Sequence, residues 1–473
     1  MPDRNGHTMG RVRHIHFVGI GGAGMSGIAE VLHNLGYIVS GTDQNESRTT
    51  KHLRELGLKV SLGHSASHIN GSDVVVYSSA VAADNPELQS ARQKRIPVIR
   101  RAQMLAELMR FQSGIAVAGT HGKTTTTSLI ASLLAEGGFD PTYVIGGLLN
   151  SAGSHARLGA GKYLVAEADE SDASFHHLQP VIAVLTNIDP EHLENYAGDF
   201  ALLKRNFVEF LNRLPFYGLA VVCVDNAGSR EVIEKIANSF ITYGIDNTAD
   251  FTARNIRYDK STTVFEVCHG EPDQSFEVKL NLPGKHNVLN ALAALAVATE
   301  LGIDRGVMTR ALANFQGIGR RCQILGEIRI NHKSVLLIDD YAHHPAEIAA
   351  TLAAVKSGWP GRRLVVIFQP HRYTRTRDLF AEFAAILATV DVLILLGIYA
   401  AGEVPIAGVT GAVLAQAIQA QGKITPLYRE NLADVHVVIP ELVRDQDILL
   451  ILGAGSIGSL GGNLLNQYGS TVH

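Results

Sequence analysis

Gly119-Thr120-His121-Gly122-Lys123-Thr124-Thr125 lies between an apolar run, Ile115-Ala-Val-Ala118, and a helix-forming stretch, Lys123 to Glu136. Glycines at such a turn let backbone N–H groups close on a phosphate, and the start of a helix favours its charge. Lys123 can reach β- and γ-phosphates, and the Thr124 hydroxyl can hold Mg2+. The loop is shorter than a usual Walker A sequence, because Val117 stands where that pattern needs a glycine. A chance Gly-Lys-Thr is the bland alternative. The register of strand, loop and helix favours a nucleoside triphosphate.

Two further sites follow apolar runs. Glu167-Ala-Asp169-Glu170-Ser-Asp172 crowds carboxylates after Tyr163 to Ala166. Such crowding is costly unless cations share the space, and Glu167, at the strand end, suits a hard cation. Thr186-Asn187-Ile-Asp189-Pro190-Glu191-His192 follows Val181 to Thr186. His192 is either an ordinary loop histidine or, beside a phosphate loop, a metal ligand or water-positioning group. Downstream, Asn287 and Asn290 stand one turn apart at a helix start. Asn287 can serve as an N-cap, or the pair can bond an adenine edge.

A second glycine turn comes earlier. Gly19-Ile-Gly21-Gly22-Ala23-Gly24 follows a strand, opens a helix, and has Asp43 at the end of the next strand. This fits a dinucleotide fingerprint, but any ligand with a diphosphate and a ribose satisfies the same physics. Gly453-Ala-Gly455-Ser-Ile-Gly458 matches the pattern again, and there we expect only a tight strand-to-helix turn. Near the third apolar segment, Gln369-Pro-His371-Arg372-Tyr-Thr-Arg375 is either a solvated basic loop or a clamp for a small carboxylate. Tyr341, His343 and His344 form a second polar cluster at a strand end, readable as loop packing or as cleft residues.

These groups need elements to hold them. Three stretches begin with a buried-strand pattern and then alternate strands with helices, as parallel α/β domains do. The first has strands at His16 to Ile20, Tyr37 to Gly41, Asp73 to Tyr77 and Pro97 to Ile99, with a helix from Met25 to Leu35. In the second, Val264 to Val267 and Phe276 to Leu280 alternate like an antiparallel edge, and Val288 to Leu301 reads as a helix. The third has strands at Val335 to Asp339, Leu364 to Phe368, Val392 to Leu396 and Ile448 to Leu452. Loop-like sequence near 112 and 318 divides the chain into domains 1–112, 113–318 and 319–473. The 473 residues suit about three domains. With 46% hydrophobic and 18% charged residues, the chain should fold as a globular protein. Net charge −4 argues against a nucleic-acid or polybasic membrane partner. The three cysteines, Cys223, Cys268 and Cys322, include no C-x-x-C pair, so reduced thiols in a cytoplasmic protein are expected. No apolar run reaches a membrane-span length.

Taken in order, the shortened Gly119 loop, Glu167, the stretch ending at His192, His286-Asn287 with Asn290, and Arg320-Arg321 resemble the Mur ligases of peptidoglycan precursor synthesis. The likeness spans essentially the whole chain. Within that family, His16 to Gly24, Glu167 to Phe175 and Asp339-Asp340-Tyr341-Ala-His343-His344-Pro345 are similar to the member that adds L-alanine. The resemblance implies a Rossmann-like N-terminal domain, a P-loop-type α/β central domain that binds ATP, and a Rossmann-like C-terminal domain. It implies ATP-dependent joining of L-alanine to the lactyl carboxylate of UDP-N-acetylmuramate. The nucleotide sugar would be held by Gly21, Gly22, Ala23, Gly24 and Met25, with Asp43 near the uridine and Ser78, Ser79 and Arg101 lining its pocket. ATP would meet Gly119 to Thr125, His286, Asn287, Asn290, Arg320 and Arg321. Two Mg2+ ions, replaceable by Mn2+, would involve Thr124, Glu167 and His192. Tyr341, His343, His371, Arg372 and Arg375 would take L-alanine, with His343 or His344 accepting its ammonium proton, and Lys123, His192 and Arg321 would serve the chemistry. The second-metal ligand that is a carbamylated lysine in some relatives has no placed counterpart among Lys204, Arg205 and Asn206. A tripeptide-recycling relative, an NAD(P)-dependent oxidoreductase and a non-catalytic nucleotide switch are the alternatives. The oligomeric state, monomer or dimer, is left open.

Overall fold

A computed structural model describes residues 9–469, apart from 79, 152–153, 171–173, 192 and 271–274. Ser79 and His192, both expected site residues, therefore lie outside the described residues, as does the side chain of Ala23. The chain forms two compact units. One comprises Met1–Asn255, Phe265–Lys279 and Val288–Gln316, and the other Ile256–Val264, Leu280–Asn287 and Gly317–His473.

The first unit opens with five short strands: β1 (His14–Val18), β2 (Ile38–Asp43), β3 (Lys59–Leu62), β4 (Val74–Tyr77) and β5 (Val98–Arg100). They lie in the order β3-β2-β1-β4-β5, all parallel. The chain order reverses between β1 and β4, which opens a crevice beyond their C-terminal ends. The helix Ala23–Asn34 begins there, directly after the Gly19 turn.

The second sheet has ten strands. They are β6 (Ser113–Ala118), β7 (Thr142–Leu149), β8 (Ser154–Arg157), β9 (Tyr163–Glu167), β10 (Ile182–Leu185), β11 (Leu219–Cys223), β12 (Phe240–Gly244), β13 (Phe251–Asp259), β14 (Thr262–His269) and β15 (Phe276–Leu280). Their order is β15-β14-β13-β12-β11-β10-β6-β9-β7-β8. β6 is thus paired in parallel with β10 on one side and β9 on the other. The three loops leaving these strands are the Gly119 turn, the Thr186 stretch and the Glu167 cluster, so sheet order alone brings them together. The helix Lys123–Glu136 is buried along most of its length, which suits its Ala, Leu and Thr composition. One apolar core joins the first two sheets, running from Phe17, Ile28 and Leu105 to Ala116, Leu164 and Phe207.

The other unit contains β16 (Gln323–Ile330), β17 (Lys333–Asp340), β18 (Leu364–Phe368), β19 (Val392–Leu396), β20 (Leu427–Arg429) and β21 (Ile448–Leu452). The order is β16-β17-β21-β18-β19-β20, with only the β16–β17 pair antiparallel. Its two faces carry separate apolar clusters, around Ile338, Phe368 and Leu450 and around Val365, Ile367 and Ile451. Continuous Val/Ile/Leu runs in β18, β19 and β21 follow from burial on both faces. No helix among the described residues is long and apolar enough to cross a membrane.

Candidate active site

Gly119 and Gly122 have φ of +131° and +82°, values that L side chains rarely adopt. Space excludes a side chain as well. A Cβ at Gly119 would stand 2.1 Å from Thr186 Oγ1, and one at Gly122 would stand 2.5 Å from Asn290 Oδ1. The turn is fastened to the segment after β10. Thr120 N donates to the Asn187 carbonyl at 3.1 Å, and His121 N to Asn187 Oδ1 at 2.7 Å. Asp189 N donates to Thr120 Oγ1 at 2.9 Å, and His121 Nε2 lies 3.0 Å from Glu191 Oε1. The Thr186–Glu191 stretch therefore braces the phosphate loop, a role that its spacing alone did not reveal. Asn290 accepts from Thr126 Oγ1 at 3.2 Å.

Lys123 Nζ donates to both oxygens of Glu170, at 2.9 and 2.7 Å, and to the Thr120 carbonyl at 3.2 Å. Burial pushes the Lys123 ammonium toward neutrality, but the nearby carboxylates of Glu170, Asp169 and Glu167 outweigh it and raise its pKa. Burial raises the Glu170 carboxyl against the pull of Lys123. Asp169 pairs with Arg101 at 3.0 Å. The crowded acidic segment thus has two protein cations, Lys123 and Arg101, as counter-ions. Sequence reasoning expected the neutralising charge from metal and did not single out Glu170. Its only local signal was its place in that segment.

Glu167 ends β9 and accepts the Gly146 N–H at 2.6 Å. It lines a cleft of about 320 Å3 together with Lys123, Asp169, Arg101, Gly22, Gly24, Met25 and Ser78. Residues expected to serve a nucleotide sugar and residues expected to serve ATP therefore share one cavity. Asp43 also has a structural contact that the sequence did not show. Its Oδ2 accepts the Gly21 N–H at 2.9 Å, so it stiffens the glycine turn itself. The Glu167 carboxylate that lines this cleft is a hard-oxygen donor of the kind Mg2+ takes.

The other unit gathers the remaining residues at the C-terminal ends of β17 and β18. Arg320 bonds Asp339 at 3.1 Å, and both Arg320 and Arg321 lie over the Tyr341 ring, each at 5.2 Å. The Tyr341 and His343 rings meet edge-on at 5.3 Å, and His343 and His371 at 5.8 Å. His371 Nδ1 accepts from Arg375 at 3.3 Å. Burial and then the neighbouring charges of His343, Arg375 and Arg372 push the His371 pKa down to about 4, so its imidazole is neutral at pH 7. Arg372 has φ of +71°, a conformation costing an L residue about 1–3 kcal/mol. Such strain persists only where the surroundings impose it.

His344 caps the helix Pro345–Gly358, its Nδ1 accepting the Ala346 N–H at 3.3 Å. Asn287 is not an N-cap, because the helix Lys285–Glu300 begins before it and its Nδ2 donates to the Pro283 carbonyl at 2.8 Å. His286 is half-buried, and its partial burial with the Arg321 charge holds its pKa near 4.

Three family descriptions match in succession: the Mur ligase family catalytic domain over residues 14–113, the Mur ligase middle domain over 117–298, and the Mur ligase glutamate ligase domain over 320–455. The chain is also 56% identical to the UDP-N-acetylmuramate–L-alanine ligase of Halorhodospira halophila, over 96% of this chain and 93% of that protein. The chain belongs to the Mur ligase family. Among solved structures, this Mur ligase resembles the UDP-N-acetylmuramate–alanine ligase of Thermotoga maritima, with a TM-score of 0.83 and 30% identity over 97% of this chain and 99% of that one. A murein peptide ligase from Psychrobacter arcticus superposes with a TM-score of 0.71 and 25% identity, over 98% and 100% of the two chains. The three sheets of this Mur ligase are the α/β architecture that its sequence led us to expect, with the glycine turn, phosphate loop and His-Arg cluster each at the C-terminal edge of its own sheet.

Proposed function

We propose that this Mur ligase joins L-alanine to the lactyl carboxylate of UDP-N-acetylmuramate, giving UDP-N-acetylmuramoyl-L-alanine, ADP and phosphate. The observation that carries the reading is the shared cleft, in which Gly22, Gly24, Met25, Ser78 and Arg101 face Lys123 and Glu167. Its relatives' names point to the same reaction.

Hydroxide is too poor a leaving group for an amine to displace from a carboxylate. Phosphorylation solves this. A lactyl carboxylate oxygen attacks the γ-phosphorus of ATP and ADP departs, leaving an acyl phosphate. The alanine amine then attacks the acyl carbon, and phosphate leaves from the tetrahedral intermediate. The first step brings two anions together, so fixed positive groups around them lower its barrier. Lys123 is that group in the cleft. Arg321 and Arg320 are assigned to the phosphates on family likeness. Mg2+, or Mn2+ in its place, would be held by Thr124 and Glu167, with His192 at a second ion, and would supply phosphate charge neutralisation.

Arg372, Arg375 and His371 take the alanine carboxylate, because guanidinium suits bidentate contact. Of the two adjacent histidines, His343 is the better proton acceptor. Its Nδ1 stands 3.0 Å from the Tyr341 carbonyl, so it carries the proton and Nε2 is the basic nitrogen. His344 has Nδ1 engaged as a helix cap, which leaves the proton on Nε2. The domain limits 1–112, 113–318 and 319–473, a cytoplasmic location and either a monomer or a dimer complete the reading.

The test is phosphate release from purified protein given ATP, Mg2+, UDP-N-acetylmuramate and each amino acid in turn. Release strictly dependent on the nucleotide sugar, and greatest with L-alanine, is expected. Faster release with a tripeptide than with L-alanine would move the assignment to the recycling reaction, and release without the nucleotide sugar would overturn it.

A further inference from the structure

The loop after β19 crosses in front of the His371–Arg375 cluster, and no sequence signal marked it. β19 lies beside β18 in parallel register, so the loops leaving their C-terminal ends are neighbours. Tyr399 N donates to the Pro370 carbonyl and Arg372 N to the Tyr399 carbonyl, both at 2.8 Å. These two bonds flank His371 and fasten the strained backbone of Arg372. The Tyr399 ring stacks on the His371 ring, with centroids 5.6 Å apart and planes at 17°. The Tyr399 ring also packs against the bare backbone of Gly455, where a Cβ would stand 2.6 Å from it.

Four residues on, the same loop makes a second attachment. Thr374 N donates to Glu403 Oε2 at 3.0 Å, and Thr374 Oγ1 to Glu403 Oε1 at 2.6 Å. Glu403 thereby holds the start of the short helix Tyr373–Asp378, which carries Arg375. Two anchors, one flanking His371 and one between Arg372 and Arg375, come from one loop.

We propose that the 397–403 loop is a strap that completes the amino-acid clamp, with Tyr399 and Glu403 as positioning residues for His371, Arg372 and Arg375. The proposal rests on the reading that this cluster takes the alanine carboxylate. Both act through their contacts to the clamp segment. Tyr399 fixes the plane of His371 and the backbone of Arg372, and Glu403 fixes the helix turn between Arg372 and Arg375. Small misplacements of such groups weaken binding strongly, because bidentate contact demands fixed geometry.

Steady-state kinetics on Tyr399→Ala, Glu403→Ala, Tyr399→Phe, Glu403→Gln and Arg375→Ala test the strap. The two alanine variants should raise the KM for L-alanine about tenfold or more while the KM values for ATP and UDP-N-acetylmuramate stay within about twofold. Tyr399→Phe keeps the ring and Glu403→Gln keeps an acceptor for Thr374, so both should recover most of the loss. A purely structural role predicts a lower unfolding temperature with no selective change in the L-alanine KM, and that result overturns the proposal. Should Glu403→Ala not fold, Thr374→Val, which removes one of the two bonds, is read in its place. Arg375→Ala separates the two levels. If it leaves the L-alanine KM unchanged, the clamp reading itself fails. If it raises that KM and the strap variants do not, only the strap fails.

Discussion

Glu87→Gln should loosen the floor beneath the first glycine turn, and the effect should fade in acid. Glu87 is fully buried. It accepts from His16 Nε2 at 2.9 Å, Thr42 Oγ1 at 2.9 Å, His64 Nδ1 at 3.1 Å and Ser65 N at 3.2 Å, and His68 Nδ1 lies 3.4 Å away. His16 in turn shares Ser40 with His14. The carboxylate thus ties β1, β2, the 64–68 loop and the helix Pro86–Gln93 together, and its partner Thr42 adjoins the Asp43 that stiffens the Gly21 turn. Burial alone would raise the Glu87 pKa. Bonds from His16 and Thr42, the His16 charge and the His64 bond outweigh it and bring the value to about 2, against an ordinary 4.5. That depression corresponds to about 3 kcal/mol of folding free energy. Because the pKa is lowered, the contribution is present above the unfolded value and is lost as pH falls through the folded one. By pH 3, about 2 kcal/mol of it should be gone. Hydrogen exchange of peptides spanning β1 and β2 measures the local opening free energy in wild type and in Glu87→Gln. The gap between them should be about 3 kcal/mol at pH 7 and about 1 kcal/mol at pH 3. An equal gap at both pH values, or no gap at pH 7, would refute the argument that the charged carboxylate is what holds these elements.

Three further outcomes follow from other parts of the molecule. Gly122→Ala meets both a positive φ and the Asn290 side chain 2.5 Å from its new Cβ, so thermal unfolding should show a loss of about 2–4 kcal/mol and the KM for ATP should rise. Cys223 and Cys322 are buried with thiol pKa values pushed up by burial, while Cys268 is partly exposed, so a thiol reagent at pH 8 should modify one of the three quickly in the native protein and all three after unfolding. Glycine differs from alanine by one methyl group, worth about 1–3 kcal/mol, so its kcat/KM should be lower by about 10- to 200-fold yet measurable. Undetectable glycine turnover at high concentration would argue against a simple methyl pocket.

What could be read from the sequence was what local geometry forces to be local. The strands Leu364–Phe368, Val392–Leu396 and Ile448–Leu452 were legible to the residue because burial on both faces leaves an unbroken apolar run. The Gly119–Thr125 loop was legible because its glycines must sit at fixed offsets from Lys123. Strands such as β3, β8 and β20 were missed. They are three or four residues long, and their polar and apolar residues do not alternate far enough to show a period. The partners of charged groups were also out of reach. Lys123 and Glu170 are 47 residues apart, and His16 and Glu87 are 71 apart. Only the sheet order brings them together, and no spacing rule encodes that order.

The two glycine turns show why a motif alone does not name a site. Both follow a parallel strand and open a helix. In the first, Asp43 holds the Gly21 N–H from behind, and Gly22 and Gly24 face the cleft beside Arg101. In the second, protein occupies the space that a ligand would need. A Cβ at Gly458 would lie 2.6 Å from an Arg320 guanidinium nitrogen, and one at Gly455 would lie 2.6 Å from the Tyr399 ring. Arg320 also donates to the Gly453 carbonyl. Missing side chains border an open cleft in one case and let an arginine and a tyrosine pack against bare backbone in the other. Which outcome a G-x-G-x-x-G turn takes is decided by what the neighbouring strand ends deliver to it, here Ser78 and Arg101 from the β4 and β5 side in the first sheet, and the Tyr399 strap in the third.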